Sequence, residues 1–246
     1  GIDVVVGIAE RDPNTRGTIY CTLLFIGREG RILGRHRKLK PTYLERTVWG
    51  EGNGSSLRTY ERPYGRISGL NCFEHGMMLP GYALVAQGTQ IHVAVWPFGG
   101  SRLGNVLSAA LAVQGSCYVI AVGAAWKKET LPEELSGFDK PWGKDPGPFS
   151  HIIEPGGKIL VSLDKTDEEA IIIAQGSQDV VMQHKLEFDI AGHYSRPDVL
   201  QLHINRRPLA PLVEPDSVDG TAAAGEFQVV RPNSASDHQD GGENLD

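Results

Sequence analysis

The sequence predicts an α/β fold: a sandwich with a mixed β-sheet and helices on the outside. Three observations support this prediction. Apolar strands alternate with helical segments through the middle of the chain, and β-hairpins lie on both sides of that region. In addition, 40% of the 246 residues are hydrophobic, which is enough for one domain with a sizeable core.

The first strands are short, apolar and β-branched. "IDVVVGIAE" (2–10) and "GTIYCTLLFIG" (17–27) are typical of buried strands. "GREGR" then forms a tight turn into "ILGRHRKLK" (32–40), which completes a hairpin. "RTYERPYGRISGLNC" predicts a further turn and another buried strand, at 66–71.

The centre and the end of the domain continue this alternation. After Cys72 the pattern becomes helical, with Pro80 in the first turn. A second, alanine-rich helix ends at Gly115. The remaining segments predict a strand in "QIHVAVWP" (90–97), a strand in "SCYVIAVGAAW" (116–126), a hairpin in "IIEPGGKILVSL" (152–163) and a strand in "EEAIIIAQ" (168–175).

Composition divides the chain into a domain at 1–212 and an acidic tail at 213–246. The tail holds eight acidic residues and one basic residue, with little apolar content, so we expect it to be disordered. The body carries 22 acidic and 23 basic residues, which gives no electrostatic footprint for nucleic acid or for a membrane surface. A polar stretch at 127–150 predicts a surface excursion, either a lid or an interface loop.

The sequence also argues against several classes of protein. No apolar run approaches the roughly 18–20 residues that a membrane span needs, and we expect no signal peptide at the start. Three widely spaced cysteines form no disulfide framework, so a reducing, cytoplasmic setting fits best. The eight histidines are scattered, and no two are three or four residues apart, so no metal-binding helix face is predicted.

Cys72 stands out among the three cysteines. Cys21 and Cys117 lie inside apolar strands and are expected to be structural, as most buried cysteines are. Cys72 lies where a strand gives way to a helix, where unpaired backbone N–H groups stabilise a thiolate. The alternative, that Cys72 is an inert buried thiol, is about equally well supported by its position alone.

Two neighbours could activate a thiol at Cys72. His75 lies one helical turn further on, although adjacency in sequence is weak evidence for a cysteine–histidine pair. Lys38 ends an apolar strand and Glu45 follows seven residues later, and a lysine near a cysteine favours the thiolate. Taken alone, charged residues on a loop, such as Lys38 and Glu45, are usually only solvated.

"HRKLKPTYLERTVWGEGNG" and "NCFEHGMMLPGYALVAQGTQIHVAVWP" resemble nitrilases of the carbon–nitrogen hydrolase superfamily, as do "AVQGSCYVIAVGA" and "FDIAGHYSRPDVLQLHINRRP" further on. The similarity runs in order from Ile2 to about Pro208. It implies an α-β-β-α sandwich and a Glu-Lys-Cys triad, in which Cys72 matches the nucleophile and Lys38 the lysine. Glu45 matches the second glutamate that accompanies this triad.

The resemblance also shows departures from the family. The triad glutamate that acts as general base lies upstream of the segment that matches here, so the chain is expected to lack the N-terminal strand and helix of the fold. Neither Glu10 nor Glu29 matches that glutamate. Phe73 stands where tryptophan is commoner, and its backbone N–H would stabilise developing negative charge. Phe73 and Trp96 are the expected substrate-binding residues.

The activity that the resemblance implies is hydrolysis of an organic nitrile to a carboxylic acid and ammonia. Alternatives are a nitrile or cyanide hydratase, an amidase of the same superfamily, or a catalytically inactive fragment that lacks the general base. The family uses no metal or organic cofactor, and it forms homodimers or larger homo-oligomers, including spiral filaments. The expected partner is therefore a small nitrile, with no nucleic acid and no membrane.

Overall fold

The computed structural model describes residues 1–97, 102–124, 132–135, 150–163 and 169–209. All of them belong to one compact unit, Gly1–Leu209. The predicted surface excursion at 127–150 lies outside the described residues except at 132–135 and 150, and so does the whole predicted tail at 213–246.

The first sheet has three antiparallel strands in chain order. They are β1 (Val4–Arg11), β2 (Ile19–Ile26) and β3 (Ile32–Arg37). Alternation along β2 turns Leu23 and Phe25 toward the second sheet. A β-bulge between Phe25 and Ile26 accompanies the hairpin to β3, where Gly30 adopts a φ of 78° in the turn.

The second sheet has six strands in the order β4-β5-β6-β7-β8-β9. Their bounds are β4 Tyr60–Arg62, β5 Gly65–Asn71, β6 Ile91–Trp96, β7 Tyr118–Gly123, β8 Ser150–Ile153 and β9 Ile159–Leu163. β5, β6 and β7 run parallel, and the other pairs are antiparallel, so the sheet is mixed as the sequence predicts. The carboxyl ends of the three parallel strands meet at one edge, where ligands of α/β sheets usually bind.

In the described ranges, three α-helices accompany the sheets: α1 (Met78–Val85), α2 (Arg102–Gly115) and α3 (Gln178–Glu187). Leu111 and Ala112 of α2 pack on Ala94 and Val119 of the six-stranded sheet, so the helix covers its outer face. Pro80 lies in the first turn of α1, as predicted. The sequence analysis did not identify α3, whose Ser177 N-cap accepts a hydrogen bond from the backbone N–H of Asp179.

The two sheets pack face to face around a small apolar core. Leu23 and Phe25 of the first sheet contact Ile67 and Val93 of the second. Gly69 allows the two sheets to approach closely here, because a Cβ at that position would lie 3.1 Å from the side chain of Leu23. Two stacked sheets with helices on the outer face of one form three of the four predicted layers of the sandwich.

Two expectations about strands were wrong. The segment 169–177 has no strand, and Ile171 and Ile173 are 90% and 80% exposed because no described strand pairs with them. β1 is a strand but not a buried one, since Val4, Val6 and Ile8 on its outer face are each more than one-third exposed. A run of β-branched residues predicts the strand, but not whether a neighbour covers it.

No helix in the described part of the chain combines the length and the apolar character that crossing a bilayer requires.

Candidate active site

Cys72 lies at the carboxyl end of β5, directly after Asn71. It opens a 3₁₀ turn, Cys72–Gly76, which precedes α1. The expected α-helix N-terminus at Cys72 is therefore corrected to a short 3₁₀ turn. Cys72 itself has a φ of 51°, in the left-handed region that residues with a side chain rarely adopt.

The thiol of Cys72 is buried, with 6% of the residue exposed. Burial raises its pKa to about 11, while the positive charge of Lys38 and a hydrogen bond from the backbone N–H of Phe73 act in the opposite direction. The thiol thus faces one cation and one backbone donor. Both groups would stabilise negative charge on the sulfur or on an atom bonded to it.

Lys38 directly follows β3 and is 1% exposed. Its Nζ donates to Oε2 of Glu45 at 2.5 Å. The same oxygen accepts the backbone N–H of Thr42 at 2.7 Å, which fixes the carboxylate at the start of the 3₁₀ turn Tyr43–Thr47. Lys38 thus pairs directly with Glu45, and its charge acts on the thiol of Cys72. The catalytic roles of the three residues stay a prediction.

A second buried carboxylate, Glu74, connects the two sheets beside this site. It is 1% exposed, and both of its oxygens lie 3.1 Å from Nε2 of His36. It also accepts the backbone N–H of Leu39 at 2.7 Å and that of Asn71 at 2.8 Å. Burial would raise the pKa of Glu74, but the charge of His36 and these hydrogen bonds lower it. Glu74 thus joins the residue after Lys38 to the residue before Cys72.

The two expected substrate-binding aromatics lie on the helix side of Cys72. Phe73 is partly exposed, and its ring meets that of Trp96 edge-on at 5.9 Å. Trp96 is 6% exposed, and its Nε1 donates to Oγ of Ser108 at 3.2 Å. Trp96 therefore packs in the core beside Cys72 and Phe73, and a contact with substrate stays a prediction for both rings.

Glu10 and Glu29 are held in other ion pairs. Glu10 lies on the same outer face of β1 as Val4, Val6 and Ile8. Its carboxylate accepts from Nε and Nη2 of Arg37 and from the hydroxyl of Thr22. Glu29 lies in the β2–β3 turn and accepts from Nη2 of Arg62 at 3.2 Å. These contacts agree with the sequence analysis, which assigned neither residue to the chemistry.

The sequence analysis did not predict the contacts of three other polar residues near the site. Cys21, expected to be only structural, lies opposite Lys38, whose backbone N–H donates to its carbonyl at 2.8 Å. His75 and His92 form a hydrogen-bonded pair behind the Cys72 turn. The signal of His92 is a histidine out of place in the apolar run of a strand, and sequence alone does not show what it faces. His75 was named as a candidate partner of the thiol, and the structure places its Nδ1 2.7 Å from the Cys72 carbonyl oxygen. In the described ranges no group of three or more potential metal-ligating side chains comes together.

Comparison with known proteins identifies the family of the chain. Residues 1–185 match the family model for carbon-nitrogen hydrolase. A prokaryotic protein of unknown source organism named nitrilase 2 is 49% identical over 209 residues, which cover 84% of this chain and 65% of that relative. A bifunctional nitrilase/nitrile hydratase of Oryza sativa subsp. japonica is 33% identical over 237 residues, covering 93% of this chain and 64% of that relative.

The fold agrees with solved structures as well. A Saccharomyces cerevisiae member of branch 10 of the nitrilase superfamily superposes with a TM-score of 0.62 at 20% identity, covering 76% of this chain and 64% of that one. The chain thus spans somewhat less than two-thirds of the length of these relatives. A family match over most of the sequence and a shared sandwich lead to one conclusion. The chain belongs to the carbon–nitrogen hydrolase family.

Proposed function

We propose that this chain carries the nucleophile of an enzyme that hydrolyses an organic nitrile to a carboxylic acid and ammonia. One observation supports the proposal: the positive charge of buried Lys38, which is paired with the partly exposed Glu45, acts on the thiol of Cys72, as does a hydrogen bond from the backbone N–H of Phe73. The relatives named as nitrilases support a nitrile as the substrate class.

The first step is addition of the Cys72 sulfur to the nitrile carbon. Because the pKa of the thiol is about 11, roughly one molecule in ten thousand holds a thiolate at pH 7. A base must therefore take the thiol proton as the C–S bond forms. The nitrile nitrogen gains the negative charge, Lys38 and the Phe73 N–H stabilise it, and protonation gives a thioimidate.

The second stage consumes two water molecules. The first adds to the thioimidate carbon, the C–N bond breaks, and ammonia leaves a thioester on Cys72. The second adds to the thioester carbon, the C–S bond breaks, and the carboxylic acid and the free thiol are released. Lys38 would stabilise the oxyanion in both additions, and Glu45 would orient Lys38 and the water.

Proton transfer in these steps is assigned, by the family resemblance, to a glutamate that precedes the matching segment. Glu10 and Glu29 do not replace it, since their carboxylates are engaged by Arg37 and Arg62. A catalytically inactive chain is therefore the alternative outcome. It predicts a Cys72 that reacts with alkylating agents but does not turn over nitriles.

A second product is favoured by one specific observation. The Oryza sativa relative is named a bifunctional nitrilase/nitrile hydratase, so an amide is an alternative product of the same site. The two outcomes share one tetrahedral intermediate and differ in the bond that breaks. If the C–N bond breaks, ammonia leaves and the acid follows. If the C–S bond breaks, the amide is released. An amidase reaction of the same superfamily would use the same residues from an amide substrate.

The wider setting belongs to the same proposal. We expect a cytoplasmic protein, supported by three cysteines that are all unpaired. We expect a homodimer or a larger homo-oligomer, up to a spiral filament. Exposed apolar side chains at the start of α1 and on α2 support the oligomer. Among them, Met78 is 85% exposed.

The test compares native protein with Cys72→Ala and with Cys117→Ala, a matched change at a thiol buried in the core away from Lys38. Ammonia, acid and amide are quantified for a panel of aromatic and aliphatic nitriles. We expect turnover in the native protein and in Cys117→Ala, and none in Cys72→Ala. Turnover that survives in Cys72→Ala would contradict the proposal, and the ratio of ammonia to amide separates its two products.

A further inference from the structure

The backbone at Cys72 needs an external partner to hold its conformation. Its φ of 51° is unfavourable for a residue with a Cβ, so the surrounding contacts must fix it. One such contact is made by His75, whose Nδ1 lies 2.7 Å from the carbonyl oxygen of Cys72. A carbonyl oxygen can only accept, so His75 carries its proton on Nδ1.

This contact also determines where the next N–H group points. The carbonyl of Cys72 and the N–H of Phe73 belong to one planar, trans peptide group, so they point in opposite directions. His75 holds the carbonyl on one side. The N–H on the other side donates to the sulfur of Cys72. His75 therefore fixes the orientation of the donor that the reacting atoms use, without touching those atoms itself.

A chain of buried polar groups extends from His75. Its Nε2 lies 3.0 Å from Nε2 of His92, and Nδ1 of His92 lies 2.8 Å from Oγ of Ser68. With its proton on Nδ1, a neutral His75 can only accept at Nε2, so His92 donates from Nε2. His92 then accepts at Nδ1 from the hydroxyl of Ser68, which lies 3.0 Å from the hydroxyl of Thr89.

The hydrogen bonds from Ser68 through His92 and His75 therefore all point toward the carbonyl of Cys72. The aligned series begins at Ser68, because the hydroxyl of Thr89 donates its proton to the carbonyl of Leu84 at 2.8 Å. Aligned hydrogen bonds polarise one another, by perhaps 10–30% per bond. A carbonyl that accepts a strengthened bond makes its own peptide N–H a better donor. The ring of His75 is also fixed sideways, because it stacks on Trp96 with ring centroids 5.1 Å apart.

We propose that His75, supported by His92 and Ser68, is a positioning residue that orients and polarises the Cys72–Phe73 peptide so that its N–H meets the reacting sulfur. The expected effect of His75 on turnover rests on the proposed function. The orientation of the peptide group at Cys72 does not depend on it. Its role is distinct from that of Glu74, which holds the other end of the turn through the backbone N–H of Asn71.

The test uses two replacements of His75 in the intact native protein. His75→Phe keeps a ring against Trp96 but removes the donor. His75→Asn shortens the side chain but places an amide N–H close to the position of Nδ1. We expect His75→Phe to lower kcat by about 10–100-fold with little change in KM, and His75→Asn to recover most of that loss. A residue needed only for packing would tolerate Phe better than Asn.

A second readout does not depend on nitrile turnover. The rate of alkylation of Cys72 by iodoacetamide, followed over pH, should rise at a higher pH in His75→Phe than in the native protein, by about half a unit to one unit. His75→Asn should follow the native profile. If alkylation follows this pattern but no nitrile is hydrolysed, the proposed function fails and the inference stands. If nitriles are hydrolysed and His75→Phe matches the native protein in both readouts, the inference is overturned.

Ser68→Ala keeps the test decisive if His75→Phe does not fold. It removes the donor to Nδ1 of His92 and leaves His75 in place. We expect alkylation of Cys72 to slow by about 2–5-fold. Ser116→Ala is the matched control, since it removes a buried hydroxyl that donates to the carbonyl of Phe188 instead. Equal rates in the two serine variants would overturn the inference.

Discussion

The two sides of the Cys72 turn are held in different ways. On the side that faces the first sheet, the contacts are charged: Glu74 binds His36 and two backbone N–H groups. On the side that faces the helices, they are uncharged, because burial lowers the pKa of His75 to about 4 and that of His92 well below its usual range. One reactive residue thus lies between an ionic layer and a neutral polar layer.

The difference shows what each layer can do. Breaking a buried ion pair leaves an uncompensated charge in a medium of low dielectric constant, so the charged side should be costly to change. A neutral hydrogen bond contributes less, about 1 kcal/mol, and its loss is felt mainly through geometry. We therefore expect changes on the charged side to affect both reaction and stability, and changes on the neutral side to act more gradually.

The largest effect is expected at Lys38, which can be compared with Lys40 two residues further on. Both lysines pair with a glutamate, but Lys38 is buried, whereas Lys40 and Glu51 are each about half exposed. Lys38→Met should lower kcat/KM by roughly 10²–10³-fold, because the charge developing on the substrate loses its cation. Lys40→Met should leave steady-state kinetics on the same nitrile unchanged, since exposed pairs contribute little. Equal losses in the two variants would refute a specific role for Lys38.

The next effect is expected in stability, at Glu74. Glu74→Gln removes the buried carboxylate that binds His36 and turns an amide donor toward at least one backbone N–H, so we expect a loss of about 3 kcal/mol in the free energy of unfolding. Urea denaturation followed by circular dichroism measures it. Glu61→Gln, which alters the exposed pair with Arg66, is the matched control and should leave the urea midpoint unchanged. A similar midpoint for both variants would show that the charged layer is not needed for stability.

Much of the fold follows from local patterns in the sequence. The hairpin at Pro155-Gly156-Gly157 was predicted from its turn residues, and both glycines adopt a φ above 90°. The apolar runs correctly predicted the strands that end at Asn71 and Trp96, because packing on both faces leaves a continuous apolar signal. The segment 169–175 has the same signal, but none of the described strands pairs with it, and composition alone cannot distinguish the two cases.

The site was predictable only in part. Cys72, Lys38 and Glu45 were named because they stand in motifs that resemble a known family. The fold pairs Lys38 with Glu45, and their catalytic roles stay a prediction. The roles of Glu74 and His92 depend on which strands become neighbours. Glu74 reaches His36 across 38 positions of sequence, and His75 reaches His92 across 17. Such contacts are set by the packing of the two sheets and carry no local signature.

The smallest effect is expected from pH, and it distinguishes the neutral layer from the charged one. Burial lowers the pKa of His75 to about 4, with Glu74 and the Cys72 carbonyl acting against the shift and His36 adding to it. An unfolded histidine titrates near 6.5, so between these values the unfolded chain binds more protons than the folded one. The contribution of buried, neutral His75 to the free energy of unfolding should therefore be fully present above about pH 7. By pH 5 this contribution should fall by roughly 1–2 kcal/mol.

Unfolding free energies measured in urea between pH 5 and pH 8 test this expectation. In His92→Gln one buried imidazole is replaced by an amide that can still donate to His75. The decrease between pH 7 and pH 5 should become smaller, because one group no longer takes up a proton on unfolding. His193→Asn removes an exposed histidine and should leave the slope unchanged. If His92→Gln keeps the native slope, the paired histidines are already charged in the folded protein, and both sides of the Cys72 turn would then be ionic.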